Sequence, residues 1–263
     1  MRQRFFVPAE SLVRAEDGTP VLVNLDQAVA HQLRNVLRMR LGDRVIVLDD
    51  SGWEYEVELT DLRSDGASAQ VCQGRLTPSE SRVALTLYQG MLKGQRTEWI
   101  LQKSTELGMT AFIPTFTRRT VVTGFERVRK KRARWERILR EAAEQSGRGR
   151  LPRLADPLSF ADACREAATA NDLALLAWES MPHGGSSSGP ESLVGVLHAC
   201  ARAHDTPPQS VALLIGPEGG FEVQEVDMAR QCGIRVVTLG PRILRAETAA
   251  LAAAAIVMAE LEG

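Results

Sequence analysis

Residues 211–257 of the chain read VALLIGPEGGFEVQEVDMARQCGIRVVTLGPRILRAETAALAAAAIV, and the order of elements in this stretch decides the fold. The apolar run Val211–Ile215 closes on Gly216-Pro217-Glu218-Gly219-Gly220, the pattern of a buried strand that opens into a tight turn. Glu222–Cys232 follows as a helix with a partial apolar face of Val223, Val226, Met228 and Ala229, and Gly233 suits its C-terminal stop. Ile234–Leu239 is a second buried strand, ended by Gly240-Pro241. The short loop Arg242–Glu247 then leads into an alanine-rich helix from Thr248 to about Glu260. Strand, glycine turn, helix, strand, polar loop, helix is a βαβα unit. It predicts an α/β fold in which two parallel strands present irregular loops at their C-terminal ends, the edge where open α/β sheets bind ligands.

Working outward, Val83–Tyr88 is strand-like and is followed by Lys93-Gly94. Gln95–Leu107 has helical periodicity, with Trp99, Ile100, Lys103 and Leu107 on one face, then Gly108 and the strand Ala111–Thr115. This second βαβ pattern extends the expected parallel sheet. Arg127–Arg153 is the basic centre of the chain. Trp135, Ile138, Leu139, Ala142 and Ala143 are spaced to bury one helix face, leaving Arg129–Arg134 as solvated surface. Gln145, Arg148 and Arg150 are placed differently, in a glycine-containing turn past the helix where a side chain can reach a ligand. Ala174–Trp178 is a further short strand ending in Glu179, and Met181–Gly189 (MPHGGSSSG) is a low-complexity loop.

Residues 1–75 read mainly as strands: Phe5-Phe6-Val7, Arg44–Asp49 and Trp53–Leu59, the last two joined by a hairpin turn at Asp50-Ser51-Gly52. Leu25–Met39 has apolar residues at helical spacing, so a small barrel carrying one helix is expected. Two readings fit Arg34, Arg38 and Arg40: phosphate contacts, or a solvated helix face. Gly74–Ser81 (GRLTPSES) is short, polar and broken by Pro78, which predicts domains at 1–75 and 76–263.

With 44% hydrophobic and 25% charged residues, the chain has the composition of an ordinary globular protein. No apolar run approaches the ~20 residues of a membrane span, and the opening MRQRFFVPAE lacks the apolar segment of a signal peptide, so a cytoplasmic protein is expected. Cys72, Cys164, Cys200 and Cys232 are widely separated. Neither they nor His31, His183, His198 and His204 have metal-ligand spacing, so no metal site or disulfide framework is expected. The net charge of −1 conceals an asymmetry: residues 91–153 hold 16 Lys and Arg against 6 Asp and Glu. A local excess of this kind attracts polyanions.

The turn GPEGGF lacks the Lys-Ser/Thr of a Walker loop and the spacing of a dinucleotide fingerprint, and Glu218 would repel phosphate. It suits a neutral or cationic ligand held by main-chain groups. Ser-His-Asp and Cys-His constellations are absent from the pattern. The expected chemistry is therefore the positioning of two reactants, with the reactive group supplied by a cofactor. Two other classes stand beside this one. A non-catalytic RNA-binding or ribosome-assembly protein would share the basic centre without needing the two loops. A nucleotide hydrolase would use the glycine turn for phosphate, and the missing Walker lysine counts against it.

Gly216-Pro-Glu-Gly-Gly-Phe221, Leu239-Gly240 and Ile243-Leu-Arg-Ala-Glu-Thr-Ala249 resemble the signature of the SPOUT-type RNA methyltransferases, and more specifically the 16S ribosomal RNA uracil-N3 methyltransferases. The likeness continues in Lys93-Gly94, Gln102-Lys103 with Glu106-Leu107-Gly108, Glu141-Ala142 with Glu144-Gln145-Ser146 and Arg148, and Leu151-Pro152. At the N-terminus it takes in Arg4-Phe5-Phe6, His31, Val36-Leu37-Arg38 and Gly42-Asp43. Ala246 stands where the family more often has Thr, and Met181–Gly189 is a longer loop than usual.

The resemblance implies an S-adenosylmethionine-dependent enzyme with an N-terminal PUA-like β-barrel that helps to hold RNA. Its C-terminal α/β domain would be threaded into a deep trefoil knot, an exception to the rule of unknotted chains. The resemblance also implies a homodimer packed through the knot region, acting on 16S ribosomal RNA in the small subunit. Gly216, Pro217, Glu218, Gly219, Leu239, Gly240, Ile243 and Leu244 would line the cofactor pocket. Methyl transfer to uracil N3 needs the imide proton removed and the Watson–Crick edge exposed. Arg245 is the candidate cation for a uracil oxygen, and Glu247 is a candidate proton acceptor or a helix-capping acid. Arg4, Arg34, Arg38, Arg118, Gln145 and Arg148 are the expected RNA contacts.

Overall fold

A computed structural model of the chain describes residues 3–121, 124–179, 190–203 and 206–262, so Met181–Gly189 and His204 lie outside the described residues. The chain divides into two compact units, one running to Glu80 and including Ala143–Leu151, the other formed by Ser81–Ala142 and the residues from Pro152 onward.

The first unit contains β1 (Arg4–Phe6), β2 (Leu12–Arg14), β3 (Pro20–Leu25), α1 (Gln27–His31), β4 (Arg44–Leu48), β5 (Trp53–Leu62) and β6 (Ala67–Leu76). The strands form one six-stranded sheet in the order β1-β4-β5-β6-β3-β2. Register shifts in the long β5–β6 pair, at Glu56/Val57 and Leu59/Asp61, are bulges of the kind that bend a sheet around its own core. That core is built from Val23, Leu33, Val45, Val47, Val57 and Leu59, all essentially buried. The β4–β5 hairpin turns where expected, with Asp50 at φ 64° and Gly52 at φ 92°. The expected long helix Leu25–Met39 is shorter. Leu25 belongs to β3, α1 ends at His31, and one wide π turn over Gln32–Val36 releases the chain before Arg38, which sits at φ 55°. Arg34 and Arg38 are exposed there.

The first unit extends past the expected boundary at residue 75 and recruits Ala143–Leu151 for physical reasons. Ala143 and Leu151 pack on Phe6, Ile46 and Leu48. The Glu144 carboxylate accepts the Phe6 N–H at 2.9 Å, and Asp50 accepts the Leu151 N–H at 2.6 Å. Glu80 accepts the N–H groups of Gly149 (2.7 Å) and Arg150 (3.0 Å) and pairs with the Arg148 guanidinium at 3.0 Å.

The second unit contains β7 (Ala84–Gly90), α2 (Arg96–Glu106), β8 (Ala111–Phe116), α3 (Phe125–Arg129), α4 (Arg132–Ser146, to Ala142 in this unit), β9 (Arg153–Leu154), β10 (Leu158–Ser159) and α5 (Phe160–Ala170). It continues with β11 (Leu173–Ala177), β12 (Glu191–Ser192), α6 (Leu193–Ala203), β13 (Ser210–Ile215), α7 (Val223–Gln231), β14 (Arg235–Thr238) and α8 (Ala246–Glu262). The sheet order is β10-β8-β7-β13-β11-β14-β12, with β9 also beside β8, and every pairing is parallel. The central strands are apolar throughout because both faces are covered. Leu85, Leu87, Leu175 and Leu213 point into a core with Ile100, Trp135, Leu197 and Ala250. Their alternates Tyr88, Leu176, Ala212 and Leu214 meet Phe160 and Val226 on the other side.

Two expected helix faces differ in detail. On α2, Trp99 is 45% exposed and the buried side is Thr97, Ile100, Leu101, Ser104 and Thr105. On α7, Val223 and Met228 are exposed while Glu225 is buried. Glu225 is held there because its carboxylate accepts the Glu222 N–H at 2.9 Å in a capping box and the Arg118 N–H at 2.9 Å. Among the described residues no helix is long and apolar enough to cross a membrane.

Arg148 is 2% exposed, so Arg148→Ala would leave Glu80 without its cationic partner. Urea unfolding is expected to show a loss of about 3–5 kcal/mol, a stability defect that a residue serving only RNA would not produce.

Candidate active site

The C-terminal edge of the second unit's sheet is where its irregular loops gather. β13 ends in the turn Gly216–Gly220, and β14 ends in Leu239–Arg245. They are not adjacent strands: β11 lies between them, so Trp178 and Glu179 enter the same edge. Together the three loops enclose a cleft of about 300 Å³. Its apolar walls include Ile215, Pro217, Phe221, Leu239, Ile243 and Leu244.

Two glycines set the turn after β13. Gly220 takes φ 68°, the left-handed region that glycine occupies without strain. Gly90, at the end of β7, matters for space: a Cβ there would lie 2.5 Å from the Pro217 nitrogen. The Gln89 amide donates to the Gly90 carbonyl (2.9 Å) and the Gly216 carbonyl (3.3 Å), tying strand end to turn.

Glu218 accepts from the Lys93 N–H at 2.9 Å and from the Arg96 guanidinium at 3.0 Å. The same guanidinium stands 3.8 Å from Glu247, whose second carboxylate oxygen is buried with no hydrogen-bond partner among the described residues. Arg96 therefore bridges an acid of the turn after β13 and one in the first turn of α8. Its position on the first turn of α2 carried no signal in the sequence reading, and neither did Trp178, which packs 5.9 Å from the Arg230 guanidinium and lines the cleft. At the cleft mouth, partial burial raises the Glu179 carboxyl above its ordinary value.

The structure brings most of the expected residues together. Gly216, Pro217, Glu218, Leu239, Gly240, Ile243, Leu244, Arg245 and Glu247 line the cleft. Gly219 does not; it is exposed, and its carbonyl accepts from Arg119 at 2.9 Å. The last helix begins at Ala246, which places Glu247 in its first turn. The Arg245 side chain is exposed and has no partner among the described residues.

The expected RNA contacts fare unevenly. Arg118 is 62% exposed and pairs with Glu222 at 3.2 Å. Gln145 is exposed but lies inside α4, not in the turn beyond it. Arg4 faces the buried Glu54 at 3.7 Å with its side chain only 17% exposed. Arg148, as shown above, is interior, so its charge is spent on Glu80.

An all-parallel α/β unit whose glycine turns surround a cleft lined by main-chain groups, three acids and three arginines fits a cofactor-dependent transferase more closely than a phosphate-binding hydrolase. Residues 79–258 match the RNA methyltransferase domain family, and residues 25–72 match the RNA methyltransferase PUA domain. The ribosomal RNA small subunit methyltransferase E of Bacillus subtilis is 34% identical, over 99% of this chain and 97% of that protein. The protein of the same name from Synechocystis is 36% identical, over 100% of this chain and 79% of its own length. The crystal structure of the Neisseria gonorrhoeae ribosomal RNA small subunit methyltransferase E, bound to S-adenosyl methionine, aligns over 98% of both chains with a TM-score of 0.79 and 31% identity. The chain belongs to the RNA methyltransferase family of which these small-subunit enzymes are members, with a PUA domain before its α/β methyltransferase domain.

Gly90→Ala is expected to force the Pro217 turn outward and to cost about 1–3 kcal/mol, read as a lower urea midpoint with an unchanged m-value.

Proposed function

We propose that the chain is an S-adenosylmethionine-dependent methyltransferase acting on N3 of a specific uridine in 16S ribosomal RNA, in the small subunit and in the cytoplasm. The observation that supports it most is the pairing, on one cleft wall, of exposed main-chain turns with two carboxylates. Glu218 and Glu247 share that wall with Arg96, while Glu179, Arg242 and Arg245 complete the lining; the unpartnered Glu247 oxygen is the group that favours a cationic sulfonium.

The residues present fit the cofactor. The apolar walls suit an adenine ring, and Gly216, Gly240 and Leu244 offer main-chain groups to read its edge. Pro217, Leu239 and Ile243 supply packing surface, and Gly219 acts through the turn and not as lining. When bound, S-adenosylmethionine supplies a methyl carbon whose bond to sulfur breaks, with the electron pair going to sulfur, as uracil N3 forms the new bond and its proton leaves.

The chain's own residues do the rest. Arg245, exposed and unpaired, stabilises the charge that deprotonation puts on a uracil oxygen. Glu247 is the acid on the cleft wall able to accept the N3 proton. Arg34, Arg38, Arg118 and Gln145 contact RNA, with phosphate contacts supplying affinity and register. Arg4 and Arg148 shape the turn after α4. The C-terminal region is knotted and carries a homodimer interface, for which light scattering would give twice the chain mass of 28.8 kDa.

Labelled S-adenosylmethionine incubated with small subunits that lack the modification should yield 3-methyluridine at one site, identified by mass spectrometry. Intact cofactor binding without incorporation would redirect the enzyme to another base. Absence of cofactor binding would leave an RNA-binding protein on this scaffold. Arg245→Ala is expected to lower kcat on the order of 100-fold at saturating RNA with cofactor affinity preserved. Unchanged turnover would remove its proposed role.

A further inference from the structure

Arg96 and Glu218 line two spaces at once. One is the cleft described above; the other is an open hollow of about 500 Å³ completed by Lys93, Gly94, Gln95 and Val121. The ion pair at 3.0 Å thus borders both, and the two spaces adjoin there. The hollow has an unusual set of groups for a surface loop. Val121 is 59% exposed, an apolar surface with nothing of the described chain upon it. The Gln95 amide and the Lys93 ammonium are exposed and have no side-chain partner among the described residues. The Lys93 backbone is nevertheless held in place, because its N–H donates to Glu218 at 2.9 Å.

We propose that this hollow seats the acceptor uracil and that the Lys93 ammonium stabilises one of the two oxygens flanking N3. The inference rests on the uridine-methylating activity proposed above. A uracil presents a flat face, which suits Val121, and an imide edge that alternates acceptor, donor, acceptor, which a side-chain amide can read. Loss of the N3 proton spreads one negative charge over both flanking oxygens. Arg245 on the cofactor side can serve one of them, and a second cation on the hollow side can serve the other. Lys93 is that cation; Arg96 is already engaged by Glu218 and Glu247. A backbone phosphate would use Lys93 but would gain nothing from Val121 or from the acceptor oxygen of the Gln95 amide.

Lys93→Ala and Lys93→Arg variants test this. Cofactor affinity by calorimetry is expected to stay within about threefold in both, since Lys93 does not line the cofactor cleft. Lys93→Ala should lose kcat on the order of 100-fold at saturating small subunits, with its activity recovering toward high pH as the uracil deprotonates unaided, and Lys93→Arg should restore part of the rate. An RNA fragment with 4-thiouridine at the target position should crosslink to the peptide containing Lys93–Arg96 or to that containing Val121. A rise in KM with unchanged kcat would make Lys93 a phosphate contact and overturn the proposal, as would crosslinks confined to other peptides. If the wild-type protein itself forms no 3-methyluridine, the activity reading fails. If it does and Lys93→Ala turns over normally, only the uracil seat fails.

Discussion

The cleft depends on the absence of one side chain. β13 is the central strand of the parallel sheet, and the turn that follows it can fold back only because Gly90 leaves room at the end of the neighbouring β7. A Cβ at that position would lie within 3 Å of three atoms of the Gly216-Pro217 segment, two of them backbone, which cannot swing aside as a flexible side chain can. With the turn seated, Gln89 fastens it through the Gly216 carbonyl. Glu218 is then carried to the start of α2, and the loops after β11 and β14 close around the same edge. Close packing converts a local backbone approach into the position of an entire wall.

The second constraint is electrostatic and acts on geometry more than on stability. Arg96 is 47% exposed, and its pairs with Glu218 and Glu247 are of the solvent-screened kind that contributes about 0–1 kcal/mol. Their effect is to hold acids from two distant parts of the chain at one guanidinium. Arg96 serves two of the cleft's three acids, and Arg242 and Arg245 also line it, so any negative character that a cation would meet is local. The buried, unpartnered oxygen of Glu247 is where it is most concentrated.

The βαβα core was legible in the sequence because its signals were local. Apolar runs of strand length, glycine turns and helical spacing lie within a few residues of one another, and the structure reproduces them from Val211 to the last helix. The strand-rich start and the Asp50-Ser51-Gly52 hairpin were legible for the same reason. What escaped was set by distant partners. Arg148 resembled a ligand-reaching arginine in a glycine turn, but Glu80, far upstream, takes it into the interior. Glu225 lies off the apolar face expected for its helix and is buried because its carboxylate accepts the Glu222 and Arg118 N–H groups. The domain boundary was displaced by contacts that Ala143 and Leu151 make with β1 and β4; the helical spacing that marks Ala143 as buried does not tell which strands it meets. Arg96 and Trp178 reach the cleft through the strand order, which places β7 and β11 on either side of β13.

In the proposed function one edge receives both a cation and a polyanion, and the two have to be kept from interfering. Around the turn after β13 this is done by pairing. Glu218 faces Arg96, and Glu222 faces both Arg118 (3.2 Å) and Arg119 (3.7 Å), so the acids that shape the turn present little net repulsion to an approaching phosphate chain. The pairs are also easily exchanged. Arg118 is 62% exposed, so moving its guanidinium from Glu222 to a phosphate costs about 1 kcal/mol or less, whereas a phosphate contact recovers the attraction and releases counterions. Glu222 is not stranded by the exchange, since Arg119 remains beside it. The arginines buried against Glu54 and Glu80 have no such freedom, which is why exposure and not sequence neighbourhood separates the cations available to RNA from those committed to the fold.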